Sequence, residues 1–270
     1  MTNLLSCFSK DLHLRAAKIL YEKRNITISG AGTYSSKSLL VFDVLRSLQK
    51  KEFSKILWIV NSKAERDLME REILRWSGTP THGLSLTRKF DFEPQDIDVV
   101  RKEDIRADRI QLIRFISDMI SGQKITLVVP FFYITQNLPD PLELKKSIFS
   151  FSVDQKIDPV ALFEMFITHG YEVSPDVQSL EPGSYFRAGD SVLFWPVNSQ
   201  NPMRLEMEFD KIHQISILDA VDKNFIKTVS ETDVYSLTYS SYTSTLSDYL
   251  HDQFLVVEDE LDINDELYEG

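Results

Sequence analysis

Apolar and polar positions change period twice along this chain, and the changes divide it. From Ile26 to Val129 short apolar runs alternate with helical patterns. Ile26–Gly30 predicts a short strand, Lys37–Gln49 a helix with Leu39, Leu40, Phe42, Val44, Leu45 and Leu48 on its apolar face, and Lys55–Val60 a buried strand. Ser62 suits an N-cap, with Glu65 three residues on completing a capping box for a charged helix ending near Trp76. A helix over about Asp104–Ser121 and a strand over Lys124–Val129 follow. Strands alternating with helices of this length imply βαβ units and a parallel sheet covered on both faces.

Asn137-Leu138-Pro139-Asp140-Pro141 breaks that rhythm. A helix is predicted over Asp158–His169, then strands with period-two alternation over Arg204–Phe209 and Ile212–Ile217, and another strand near Phe225–Tyr235. Ser236–Ser247, rich in Ser, Thr and Tyr without Gly or Pro, reads as a surface connection. Phe254–Val257 returns to a buried-strand pattern. The expected architecture is α/β, a parallel-sheet domain with an inserted α+β module. The expected divisions are 1–146, the insert 147–236, a linker 237–247, and a returning strand with an acidic end over 248–270.

Charge narrows the function. The formal net charge is −11, from 30 basic and 41 acidic side chains. Eleven acidic residues and no Lys or Arg follow Lys227, so the first 227 residues are neutral. A neutral body with an acidic end is a poor match for a phosphate backbone, which argues against autonomous tight DNA binding. Cys7 is the single cysteine, which excludes a disulfide framework or multi-cysteine metal site. No apolar run approaches bilayer length and no signal-peptide pattern opens the chain, so a cytoplasmic protein is expected.

The chemistry-bearing patterns are incomplete. Gly30-Ala31-Gly32-Thr33-Tyr34-Ser35-Ser36-Lys37-Ser38 sits where a phosphate-binding loop belongs, but Ala31 and Ser36 occupy the positions where GxxxxGK[ST] needs glycine. Lys37 and Ser38 keep the groups that would meet phosphate and Mg²⁺. Val256–Glu260 could supply an acidic pair to that metal. Hydrolysis would further want an arginine from a second lobe, for which the residues up to Gly270 leave no room; no catalytic activity and no resident cofactor are expected. The histidines (His13, His82, His169, His213, His251) show no metal spacing. Tyr185-Phe186-Arg187 includes Arg and Tyr, types enriched at protein–protein hot spots; a nucleic-acid reading competes, which the neutral charge balance disfavours, and so does a buried-core role for the aromatics.

Four blocks in order carry a resemblance. Met203–Asp210, continuing to Ser216–Asp219, is similar to "VRIELFGDEIESIRRFD" of the N-terminal region of the bacterial transcription-repair coupling factor family, a region shared in part with the repair helicase UvrB. Gly170-Tyr171, Gly183, Gly189 and Pro196 match that family's "GY…GEFAVRGGILDVFP", Ser247–Val257 resembles "LLDYLPDDALLVLDE", and Asp104–Arg114 resembles "SPEIVAERLEVLR". The resemblance implies a degenerate RecA-like (P-loop NTPase-like) domain carrying an inserted module that binds UvrA. It puts Asp259 and Glu260 on the acidic pair. Two family arginines of the UvrA-binding surface fall on Ala188 and Val173, with Arg187 one place early. The expectation is therefore a non-catalytic repair protein that docks UvrA or a related partner through Arg187, Tyr185, Phe186 and Arg204. The alternatives are a weak ATP–Mg²⁺ binder using Lys37, Ser38, Asp259 and Glu260, and an acidic mimic of DNA.

Overall fold

The computed structural model describes residues 10–23, 26–48, 55–77, 81–84, 102–250 and 254–258. The chain divides into two compact units, one from Met1–Ser85, Gly122–Ile134 and Leu250–Gly270, the other from Leu86–Ser121 and Thr135–Tyr249.

In the first unit, strands β1 (Lys55–Val60), β2 (Thr81–Gly83), β3 (Ile125–Pro130) and β12 (Phe254–Glu258) form a parallel sheet in the order β12-β1-β3-β2. All six residues of β1 and of β3 are buried, which is why both read as nearly continuous apolar runs, broken only by Lys55 and Thr126. Helices α2 (Tyr34–Ser47) and α3 (Lys63–Ser77) supply Phe42, Met69 and Ile73 to a cluster with Ile56, Trp58, Val60 and Val128. The start of α3 shows half of the expected capping box: Glu65 N–H donates to Ser62 Oγ at 3.2 Å, while the Glu65 carboxylate accepts from Asn61 N–H, one residue before the cap, at 2.9 Å.

One expected strand is absent here. Ile26 and Ile28 turn inward onto a cluster built by α2 and by α1 (Lys10–Lys23), while Thr27 and Ser29 are exposed. The alternation is real, but this segment joins no ladder among the described residues. Packing on helices needs only one apolar face; a strand also needs a neighbour.

In the second unit, six strands run in the order β10-β9-β8-β7-β6-β5: β5 (Glu172–Val173), β6 (Ser184–Ala188), β7 (Ser191–Phe194), β8 (Met203–Glu208), β9 (Lys211–Leu218) and β10 (Phe225–Val229). All pairs are antiparallel except β5 with β6. A separate pair joins β4 (Phe149–Ser152) to β11 (Glu231–Val234). Helix α6 (Pro159–Thr168) starts at Asp158, whose carboxylate accepts from Val160 and Ala161 N–H. It buries Phe166 among Phe149, Phe151, Tyr171, Tyr185 and Phe194, with ring centroids 5.0–6.1 Å away.

Three expectations change in this unit. Phe225–Tyr235 is two strands, because β10 follows β9 whereas β11 leaves at Ser230 to pair with β4. Ser236–Ser247 is a packed strap: Ser236, Leu237, Ser244 and Leu246 are buried, and Leu138 and Ser244 exchange backbone hydrogen bonds. Glu143, in helix α5 (Pro141–Lys146), accepts from Ser240 N–H, Ser240 Oγ and Ser241 Oγ at 2.5–2.7 Å. Finally, helix α4 (Lys102–Ile120), expected with the first segment, belongs to this unit. Its Arg106 donates to the carbonyls of Gly170 (3.1 Å) and Gly183 (2.5 Å). Both glycines have left-handed backbones (φ 79° and 80°), and a Cβ on Gly183 would sit 2.9 Å from Leu237 Cδ1. One guanidinium thus ties together two segments that only glycine can shape.

Candidate protein-docking face

The register of β6 to β9 sets side chains in rows across the sheet. Tyr185–Phe194–Met203–Ile217 and Arg187–Val192–Leu205–Ile215 share one face; Phe186–Leu193–Arg204–Ser216 and Ala188–Ser191–Glu206–Gln214 share the other. The first face lies under α6. Tyr185 is 4% exposed and stacks on Phe166 and Phe163, with centroids 5.0 and 5.8 Å away. Arg187 is exposed at the margin, its guanidinium 5.5 Å from the centre of the Phe163 ring. On the opposite face Phe186 is half-buried against Leu180, Leu193 and Leu218. Arg204 Nη2 lies 2.6 Å from Glu206 Oε1.

The four nominated residues therefore do not form one patch. Tyr185 is core, and its ring supports the sheet from beneath. Phe186 and Arg204 share a row on the face opposite α6, where Leu193 and Ser216 are buried, and Arg187 points the other way. A strand flips its side chains at every residue, so moving an arginine by one place moves it to the other face. Arg187 cannot replace a side chain at Ala188, which is itself exposed on the face of Arg204 and Glu206. Val173 is also exposed, paired beside Tyr185 at the β5 edge.

At one end of this face Met207 N–H donates to Asp190 O at 2.9 Å, setting the β6–β7 and β8–β9 turns side by side. Asp190, Ser191, Glu206, Met207, Glu208 and His213 line a shallow concavity there. His213 is exposed, as its alternation predicts, and is the additional residue of a bulge in β9, with Nδ1 3.8 Å from Glu208 Oε2. Beside it Lys211 Nζ is 2.6 Å from Asp154 Oδ1. That hydrogen-bonded pair holds the Asp154 carboxyl below its ordinary range and the Lys211 ammonium above it. Sequence reasoning carried the Arg204–Phe209 strand one residue too far: β8 stops at Glu208, and Phe209 is the turn, with φ 58°. It also missed Arg106, because nothing in a helical pattern marks a contact 64 to 77 residues away.

The glycine loop is closed on itself. Thr33 caps α2, its Oγ1 accepting from Ser36 N–H at 3.5 Å. Ser38 is fully buried, and its Oγ donates to Met69 Sδ at 3.3 Å. Lys37 Nζ lies 5.7 Å from the centre of the Tyr34 ring. A hydroxyl pointed into the core is not available to a metal ion. Asp259 and Glu260 lie outside the described residues, as does the acidic stretch after them. Among the described residues there is no group of three or more His, Cys, Asp or Glu arranged to hold a metal, and no helix long and apolar enough to cross a membrane.

Residues 149–242, which span β4 to the strap, match the UvrB interaction domain family. The chain is similar to the transcription-repair-coupling factor of Bacillus subtilis (strain 168), 27% identical over 136 residues, which are 50% of this chain and 11% of that protein. It is also similar to the transcription-repair-coupling factor of Borreliella burgdorferi, 32% identical over 92 residues, which are 32% of this chain and 8% of that protein. The chain thus spans about a tenth of the length of these relatives. A UvrB interaction domain, a repair-related protein-interaction module, occupies residues 149–242 of a chain that resembles the N-terminal region of transcription-repair-coupling factor over about half its length.

Proposed function

We propose that this chain is a non-catalytic docking protein of nucleotide excision or transcription-coupled repair, acting in the cytoplasm and binding UvrA or a related repair protein through residues 147–236. The supporting observation is that the UvrB interaction domain match contains the six-stranded sheet, whose face opposite α6 sets a half-buried Phe186 in line with Arg204. An apolar centre flanked by a guanidinium is the composition of interface cores. Tyr185 acts by supporting that sheet, and Arg187 contributes from the margin under α6. The first unit serves as a vestigial RecA-like carrier, and a nucleotide-binding role finds no support at Ser38, whose hydroxyl is taken by Met69. Titration calorimetry of the full chain with purified UvrA tests this. Saturable binding with Kd on the order of 10 μM or tighter is expected, weakened by Phe186→Ala or Arg204→Ala by about 2 kcal/mol, or ~30-fold. No binding at tens of micromolar removes that partner.

A further inference from the structure

We infer that Phe209, at the tip of the β8–β9 hairpin, is a preformed aromatic anchor for a partner protein whose surface offers an apolar pocket edged with Lys or Arg. The inference rests on the docking reading above and gives it a chemistry that neither the resemblance nor the domain match supplies.

Three observations carry it. Phe209 is 90% exposed, more than any other large apolar side chain among the described residues. It also adopts φ 58°, a left-handed conformation in which a bulky side chain is strained. A turn with no other duty would place Gly, Asn or Asp there at lower cost. Asp154, with φ 72°, shows that cheaper choice in the adjoining loop. The tip is, moreover, held in place. Ile157 N–H donates to Asp210 O at 2.7 Å, while Ile212 N–H donates to Gln155 O and Asp154 N–H to Ile212 O, both at 2.9 Å. The Lys211–Asp154 ion pair closes the same corner. An exposed ring on a braced turn loses little freedom on binding, which is the advantage of preorganisation.

The charges around the ring select the occupant. Glu206, Glu208, Asp190 and Asp210 lie at this end of the sheet; of its cations, Arg204 is paired with Glu206 and Lys211 with Asp154, and the exposed Lys156, bridged to Lys211, leaves the acidic groups in excess. A second copy would bring acid against acid, and an anionic lipid surface would be repelled. A basic-edged apolar pocket satisfies both the ring and its rim, and its charge would speed association at low salt.

The test compares the full-length parent with Phe209→Gly and with Glu208→Lys/Asp210→Lys in titrations against UvrA at two ionic strengths, alongside thermal unfolding. Removing the anchor should weaken binding by tenfold or more while Tm is held or raised, because glycine relieves the left-handed strain. The charge-reversed variant should bind more weakly and lose most of the parent's salt dependence. Unchanged affinity of Phe209→Gly beside a binding parent overturns the anchor and leaves the docking module standing. A fall in both Tm and affinity also overturns it, since Phe209 would then be structural. No binding by the parent overturns the anchor and the docking reading together.

Discussion

The loop Gly30–Ser38 and the sheet end at Asp190, Glu208 and Phe209 are both places where this chain sets polar or aromatic groups at a turn, and they dispose of them oppositely. In the loop, Thr33 satisfies the amide of Ser36, and Ser38 is turned into the core against Met69. At the sheet end, Phe209 is left in solvent at the cost of backbone strain, and the acidic rim outnumbers its cations. The loop uses these groups in its own cap and in the core; the sheet end leaves its ring in solvent. A sequence motif names the groups available, and their bonding partners decide which remain free for a ligand.

The contrast can be broken from the side of the sheet. Phe166, fully buried among five aromatic rings, supports the face that carries Tyr185, so Phe166→Ala should cost about 4 kcal/mol. Urea denaturation followed by fluorescence checks this, and a loss under about 1 kcal/mol would mean the aromatic cluster is not the core. Arg106→Ala removes charged hydrogen bonds to two partly buried carbonyls and should cost about 3 kcal/mol. The same assay reads it.

A smaller effect depends on pH. Hydrogen bonds from Ser240 and then Ser241 hold the Glu143 carboxyl down to about 2, from an ordinary 4.5. A depressed folded-state pKa contributes stability above pH 4.5, which is lost as pH falls from there through 2. The carboxylate is partly wet, so screening keeps the contribution near ~1 kcal/mol. Glu143→Gln should therefore lower stability at pH 7 by about that amount and flatten the acid limb of a pH–stability profile; an unchanged acid limb would assign the loss to other carboxylates. The smallest expected effect is at the loop. Millimolar ATP with Mg²⁺ should leave Tm unmoved in both the parent and Lys37→Ala, and a shift that Lys37→Ala abolishes would restore the nucleotide reading.

What the sequence disclosed follows from which forces are local. β1 and β3 are legible because burial on both faces leaves each a single polar residue, Lys55 and Thr126, and α3 because Ser62 and Glu65 cap it within one turn. The alternation of β8 and β9 reads directly onto the sheet faces. Pairing is not local: Ile26–Ser29 alternates like a strand yet packs on helices, and Phe225–Val234 divides between two sheets at Ser230. Ser236–Ser247 looked like a surface connection because its partners, Leu138 and Glu143, lie about a hundred residues away. At the candidate site, the faces on which Phe186, Arg204 and Arg187 lie and the burial of Tyr185 depended on register, which residue type does not carry.

The central claim is that the sheet of the UvrB interaction domain is the binding surface and the glycine loop is not. Hydrogen–deuterium exchange of the full chain with and without saturating UvrA tests this most directly. The account predicts slowed exchange across residues 185–215, strongest at the β8–β9 turn, with residues 30–38 unchanged. Protection confined to residues 30–38, or none within 185–215 despite measurable binding, would contradict it.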